Sequence, residues 1–130
     1  MYQKLLFILL ISCLSTAAFA QPSPVAAEKV YKEWQVLPNS KNMVEIFYCI
    51  VKCDGVNKIN LMIFNDSDSD QDITVSLEIT NTADKQHFSV RKAFSAKKGV
   101  FHKATCDSAN LPELKIALPD TYDPLGISVK

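Results

Sequence analysis

The side chains in this 130-residue chain that could do chemistry are four cysteines, two histidines and a run of alternating aspartates. Cys49 and Cys53 are four apart, a spacing that meets only on a helix. In an extended strand they lie about 13 Å apart at roughly 3.3 Å per residue, and a bridge needs Cα atoms within about 7 Å. They are not a redox pair either, because three residues separate them where that motif has two. A thiol nucleophile at Cys49 would need a base, and His87 and His102 are the only histidines. His102 shares its alternation with Val100, Ala104 and Cys106, which would carry it toward the cysteines. Zinc held by the three cysteines and His102 lacks close ligand spacing.

Asp66, Asp68, Asp70 and Asp72 place oxygen ligands at every second residue, as at the start of a calcium loop. A helix-flanked loop would then need glycine at position 71 and a bidentate acid at 77, where this chain has Gln71 and Leu77. A looser calcium site at Asp66, Asp68 and Asp70 stands beside the plainer reading, a solvated hairpin tip whose charge discourages edge pairing. Tyr31, Trp34 and Tyr122 could form an aromatic patch for a glycan or a peptide, against ordinary packing of the same three rings. There is no Gly-x-Ser-x-Gly, no paired-histidine metal motif and no phosphate-cradling loop; the chain has three glycines. No cofactor is implied.

The elements that must position these residues centre on residues 43–80. Ile73, Val75, Leu77 and Ile79 alternate strictly with Thr74, Ser76, Glu78 and Thr80, the period of a strand with one buried face. Residues 43–52 are apolar on both faces and read as a central strand, and 58–64 as the next, with Ile59, Leu61 and Ile63 on one side. Trp34, Val36 and Leu37 fit a first strand that ends in a turn at 38–42. Residues 81–86 read as a hairpin loop, and 87–94 as the returning strand with Phe88 and Val90 inward. Its alternation falters at Lys92 and Ala93, which a bulge or an edge position would explain. Residues 100–106, 114–118 and 127–129 complete the pattern. The expected fold is all-β, an antiparallel immunoglobulin-like or fibronectin-III-like sandwich of about seven strands.

At the N-terminus, Lys4 precedes an apolar run that ends in small residues at Ala18 and Ala20, the pattern of a cleavable secretory signal over residues 1–20. Residues 21–30, with Pro22 and Pro24, read as a flexible lead-in, and 31–130 as a single β-sandwich domain. The alternative is a lipid anchor on Cys13, whose preceding Leu10, Ile11 and Ser12 resemble a lipobox. Without the first 20 residues the chain has 13 basic and 14 acidic side chains, so no field for nucleic acid follows. No transmembrane segment is expected in the mature chain.

Trp34, the run Val44-Glu45-Ile46-Phe47-Tyr48, Cys53-Asp54-Gly55, residues 58–65 ending in Phe64-Asn65, and Cys106 together resemble small exported bacterial β-sandwich proteins of unassigned function. The resemblance covers residues 34–106. It implies a recurring cysteine pair at Cys53 and Cys106, with no counterpart to Cys49, and no catalytic residue. Position agrees with that pairing. Cys53 stands where the chain must turn at Asp54-Gly55 and Cys106 ends another strand, whereas Cys49 lies mid-strand, suited to pack as a small hydrophobe.

The function expected from these residues is a non-enzymatic exported module, periplasmic or secreted, that binds or acts as a structural element. Its partner class would be another envelope protein or a glycan. The alternatives are calcium-dependent adhesion through Asp66, Asp68, Asp70 and Asp72, and a small thiol enzyme using Cys49 and His102.

Overall fold

A computed structural model describes residues 26–38, 41–107 and 109–130. The strands are β1 (Lys29–Val36), β2 (Val44–Cys53), β3 (Val56–Asn65), β4 (Gln71–Asn81), β5 (His87–Ala96), β6 (Phe101–Lys103), β7 (Lys115–Ala117) and β8 (Ile127–Val129). One antiparallel sheet runs β1-β2-β3, with β6 and β7 both on the far edge of β3; the other runs β5-β4-β8. The expected cleavable signal and Cys13 lie outside the described residues, and no helix among the described residues is long and apolar enough to cross a membrane.

Local sequence accounts for the hairpins. Asp54 and Gly55 both have positive φ, at 50° and 75°, and they fill the two-residue loop between the paired Cys53 and Val56. A mirror-image turn of this kind matches the twist of the flanking strands, and Asp-Gly is its preferred sequence. β1 begins at Lys29, so Lys29 and Val30 of the stretch read as lead-in are already paired with β2. Glu28 fastens the start: its N–H donates to the Lys52 carbonyl and its carboxylate accepts from the Gly55 N–H, both at 2.9 Å.

Alternation sets the layers. Ile50, Ile59, Leu61 and Ile63 from the first sheet meet Val75, Leu77 and Ile79 from the second in one core, closed by Leu114, Tyr122 and Ile127. The two sheets therefore pack face to face and bury one side of each. A smaller cluster of Cys49, Val51, Cys53 and Cys106, with Ala27 and Trp34 against it, lies apart from that core. These residues belong to the opposite register of β2, so they occupy the outer face of the first sheet.

The pairing settles one expectation and departs from another. The β4–β5 ladder runs without a shift from Gln71↔Ala96 to Thr80↔His87, so Lys92 and Ala93 carry no bulge; β5 is an edge strand, and the irregularities fall in β1. The strand expected over 100–106 is only three residues long. After Ala104 donates to the Leu61 carbonyl, the chain leaves the edge of β3, and its Thr105 N–H is taken by Asn110 Oδ1. It rejoins the same edge as β7, inside the stretch read as 114–118, and the described residues hold eight strands where about seven were expected.

Candidate functional site

The cysteines divide as the sequence suggested. Cys53 and Cys106 form a disulfide with Cα atoms 5.3 Å apart, and Cys49 is free and buried. The bridge draws the segment after Ala104 toward the end of β2, on the outer face of the first sheet. Burial pushes the Cys49 thiol up to about 11, only partly offset by the Asn60 backbone N–H. Such a thiol is almost wholly protonated near neutral pH and a poor nucleophile. Asn60, opposite Cys49 on β3, is 3% exposed, and its Oδ1 has no partner among the described residues.

His102 does not join this cluster. It pairs with Ile63, whose side chain is in the inter-sheet core, so it faces the other way from Cys49. Its Nε2 accepts from the Lys97 N–H at 3.0 Å, and its ring stands edge-on to Phe94 at 4.9 Å between centroids. His87 opens β5 and is exposed. The Cys49–His102 constellation is thus divided between the two faces of one sheet.

The acidic run is organised by a residue that its own pattern does not announce. Asn65, fully buried at the end of β3, accepts from the Ser67 N–H and hydroxyl through Oδ1. Its Nδ2 donates to the carbonyls of Ser69 and Ala96, both at 2.9 Å. The loop therefore wraps around an amide and its aspartates point outward. Asp70 is already engaged, with one oxygen on the Lys98 N–H and the other on Lys97 Nζ, and these contacts hold its carboxyl below the usual range. No three His, Cys, Asp or Glu side chains among the described residues come close enough to hold a metal ion. Asp66, Asp68, Asp70 and Asp72 do not converge as a ligand set.

The three aromatic candidates are also dispersed. Tyr122 is buried in the core 5.8 Å from the Phe88 ring, Tyr31 packs against that core with Lys29 over its ring, and Trp34 lies on the outer face under Lys103.

The feature missed by sequence reasoning is an open seam between the sheets. β8 pairs with β4 only at Ile79, Thr80 and Asn81, extended by a reciprocal pair of hydrogen bonds between Glu78 and Lys130. Farther along the same edge, residues 72–77 have no strand partner among the described residues. There a groove of about 620 Å³ opens, lined by Leu37, Val44 and Ile46 from one sheet and by every residue from 72 to 77 from the other. Consecutive rather than alternate residues line it, which means that the backbone edge of β4 forms one wall. The apolar floor is the partly exposed Ile73, with Val75 and Leu77 buried in the core behind it. Lys41, Lys130 and Asp72 stand at the rim. The alternation over residues 73–80 announces the buried face of β4 and says nothing of which edge is paired.

No protein-family model, curated protein or solved structure matches the chain.

Proposed function

We propose that the protein is a non-enzymatic, immunoglobulin-like sandwich module exported to the bacterial envelope or exterior, where it binds another envelope component. The observation that carries this reading is the groove beside residues 72–77, which combines an apolar floor with an unpaired backbone edge. Pockets with a mostly apolar lining and a few convergent polar groups are the default binding sites of a fold. The Cys53–Cys106 bridge and the residue pattern of positions 4–20 support the exported location.

Two measurements test it. Intact mass of the protein recovered from its producing cells should show loss of residues 1–20; a diacylglyceryl mass on Cys13 would move the protein to a lipid anchor. Amide NMR of the labelled protein, mixed with the solubilised envelope of its source, should shift signals from residues 44–46 and 72–77. An envelope fraction that moves no signal anywhere would overturn binding and leave a structural spacer. Shifts confined to the outer face around Phe101 would place the binding surface there and not in the groove.

A further inference from the structure

We infer that the groove accepts an extended strand from another polypeptide, laid antiparallel to β4 in continuation of β8. The inference rests on the binding reading above and specifies what the ligand is. Its first support is the direction of the backbone groups. Glu78 exchanges both of its backbone hydrogen bonds with Lys130, on the β8 side, whereas Asn81 donates toward the β5 side, to the Gln86 carbonyl. In a strand, N–H and C=O of one residue point to the same edge, and successive residues alternate. Asp72, Thr74 and Ser76 therefore point N–H and C=O to the open side, and Ile73, Val75 and Leu77 point theirs to β5. Six backbone groups in a row are left without partners among the described residues, which is a template for strand addition.

The second support is the match of side chains to that register. An added strand would send alternate residues into the mouth of the seam, onto the partly exposed Ile73 and Ile46, with Val75, Leu77, Leu37 and Val44 buried behind them. Its other residues would lie on the outer face beside Ser76, Thr74 and Asp72, so a basic residue opposite Asp72 completes the charge. The occupant is thus a strand with apolar residues at every second place, polar ones between, and a cation at one end.

The chain's own lead-in is a poor donor. Pro22 and Pro24 lack the N–H that the pairing needs, and β1 starts opposite Lys52, at the far end of the first sheet from Val44. A separate polypeptide fits better. Addition continues a pairing that already exists, because β8 occupies the first part of the same edge.

The test attaches the probe Val-Thr-Val-Thr-Val-Lys-Val directly after Lys130. With the β8 register carried on, its even places fall opposite Ser76, Thr74 and Asp72, and the tether supplies a high effective concentration. The expected result is that amide exchange at residues 72, 74 and 76 slows by about tenfold or more, while 73, 75 and 77, already bonded to β5, change little. The same composition shifted by one place should give no protection. Thr74→Pro removes one open-edge N–H without breaking a β5 bond, and should abolish protection at Ser76 and Asp72 while the fold survives. The free heptapeptide, acetylated and amidated, should reproduce the alternating pattern on the unextended protein at millimolar concentration.

Absence of protection in the tethered form, or equal protection of all six amides, would overturn strand addition. Protection of 72, 74 and 76 that rises with the concentration of the unextended chain alone would overturn the foreign strand in favour of a second copy. If the probe fails while envelope extract still shifts the groove, the occupant is wrong and the binding reading stands. If extract shifts lie elsewhere, the binding site itself is wrong.

Discussion

Cys49 shows how one residue type takes two fates within five positions. Cys53, at the strand end, is bridged, and Cys49, mid-strand, is 4% exposed among Val51, Cys53 and Cys106. Its raised pKa has a direct consequence for stability. A thiol that ionises in the unfolded chain near its ordinary value, and in the folded chain only near 11, stabilises the fold fully below the unfolded value. That contribution is lost as pH rises from about 9 toward 11. Over this window the wild type should lose up to about 1.4 kcal/mol per pH unit more than Cys49→Val, measured by urea denaturation. Parallel pH profiles would mean that the thiol is not buried as described. The pairing itself was legible in the sequence, since strand geometry excludes Cys49 with Cys53 and places Cys53 and Cys106 where the chain turns. The role of Asn60 was not, because a single polar residue in an apolar strand does not reveal whether its amide will be satisfied.

Among the elements, the β3–β4 connection gains most from a single side chain. Asn65 makes four hydrogen bonds, two of which need it as a donor. Asn65→Ala strands buried partners and should cost about 2–4 kcal/mol in denaturant unfolding. Asn65→Asp turns a carboxylate onto two carbonyl oxygens, so it should cost at least as much at pH 7 and less at pH 4, where protonation restores a donor. Equal losses at both values would sink this account. The central strands, the Asp54-Gly55 turn and the β4–β5 hairpin were legible because alternation and turn chemistry are local. The two short strands within 100–106 and 114–118 were legible too, but the end of the first was not: the chain leaves the sheet after Ala104 on its way to Cys106 and the bridge to Cys53. The seam was likewise hidden, because alternation reports which face of β4 is buried and says nothing of which edge is paired.

At the scale of the whole molecule, the two sheets share one core, and the covalent bridge ties the end of β2 to the segment after β6. With a sequence separation of 53, the closed loop corresponds to about 4 kcal/mol in the chain-entropy treatment, a large part of the roughly 5–15 kcal/mol that holds a small domain together. Cys106→Ser should therefore lower stability by several kcal/mol at pH 7, and Cys49→Ala by clearly less, both by chemical denaturation. A Cys106→Ser protein as stable as the wild type would show that the fold carries itself without the bridge.

The same loop also decides how the domain behaves under tension. β1 and β2 lie on the N-terminal side of the bridge, β2 ending at Cys53 itself, and β7 and β8 lie after Cys106, so a force applied at the two ends reaches the bridge once β1, β2 and the final strands have peeled away. The strands between the two cysteines, including all of β4 and β5, then stay out of the load path. At about 3.4 Å per residue, roughly 180 Å of contour remains locked until the sulfurs are reduced. An oxidised module of this kind is a short, stiff link, and a reductant lengthens it.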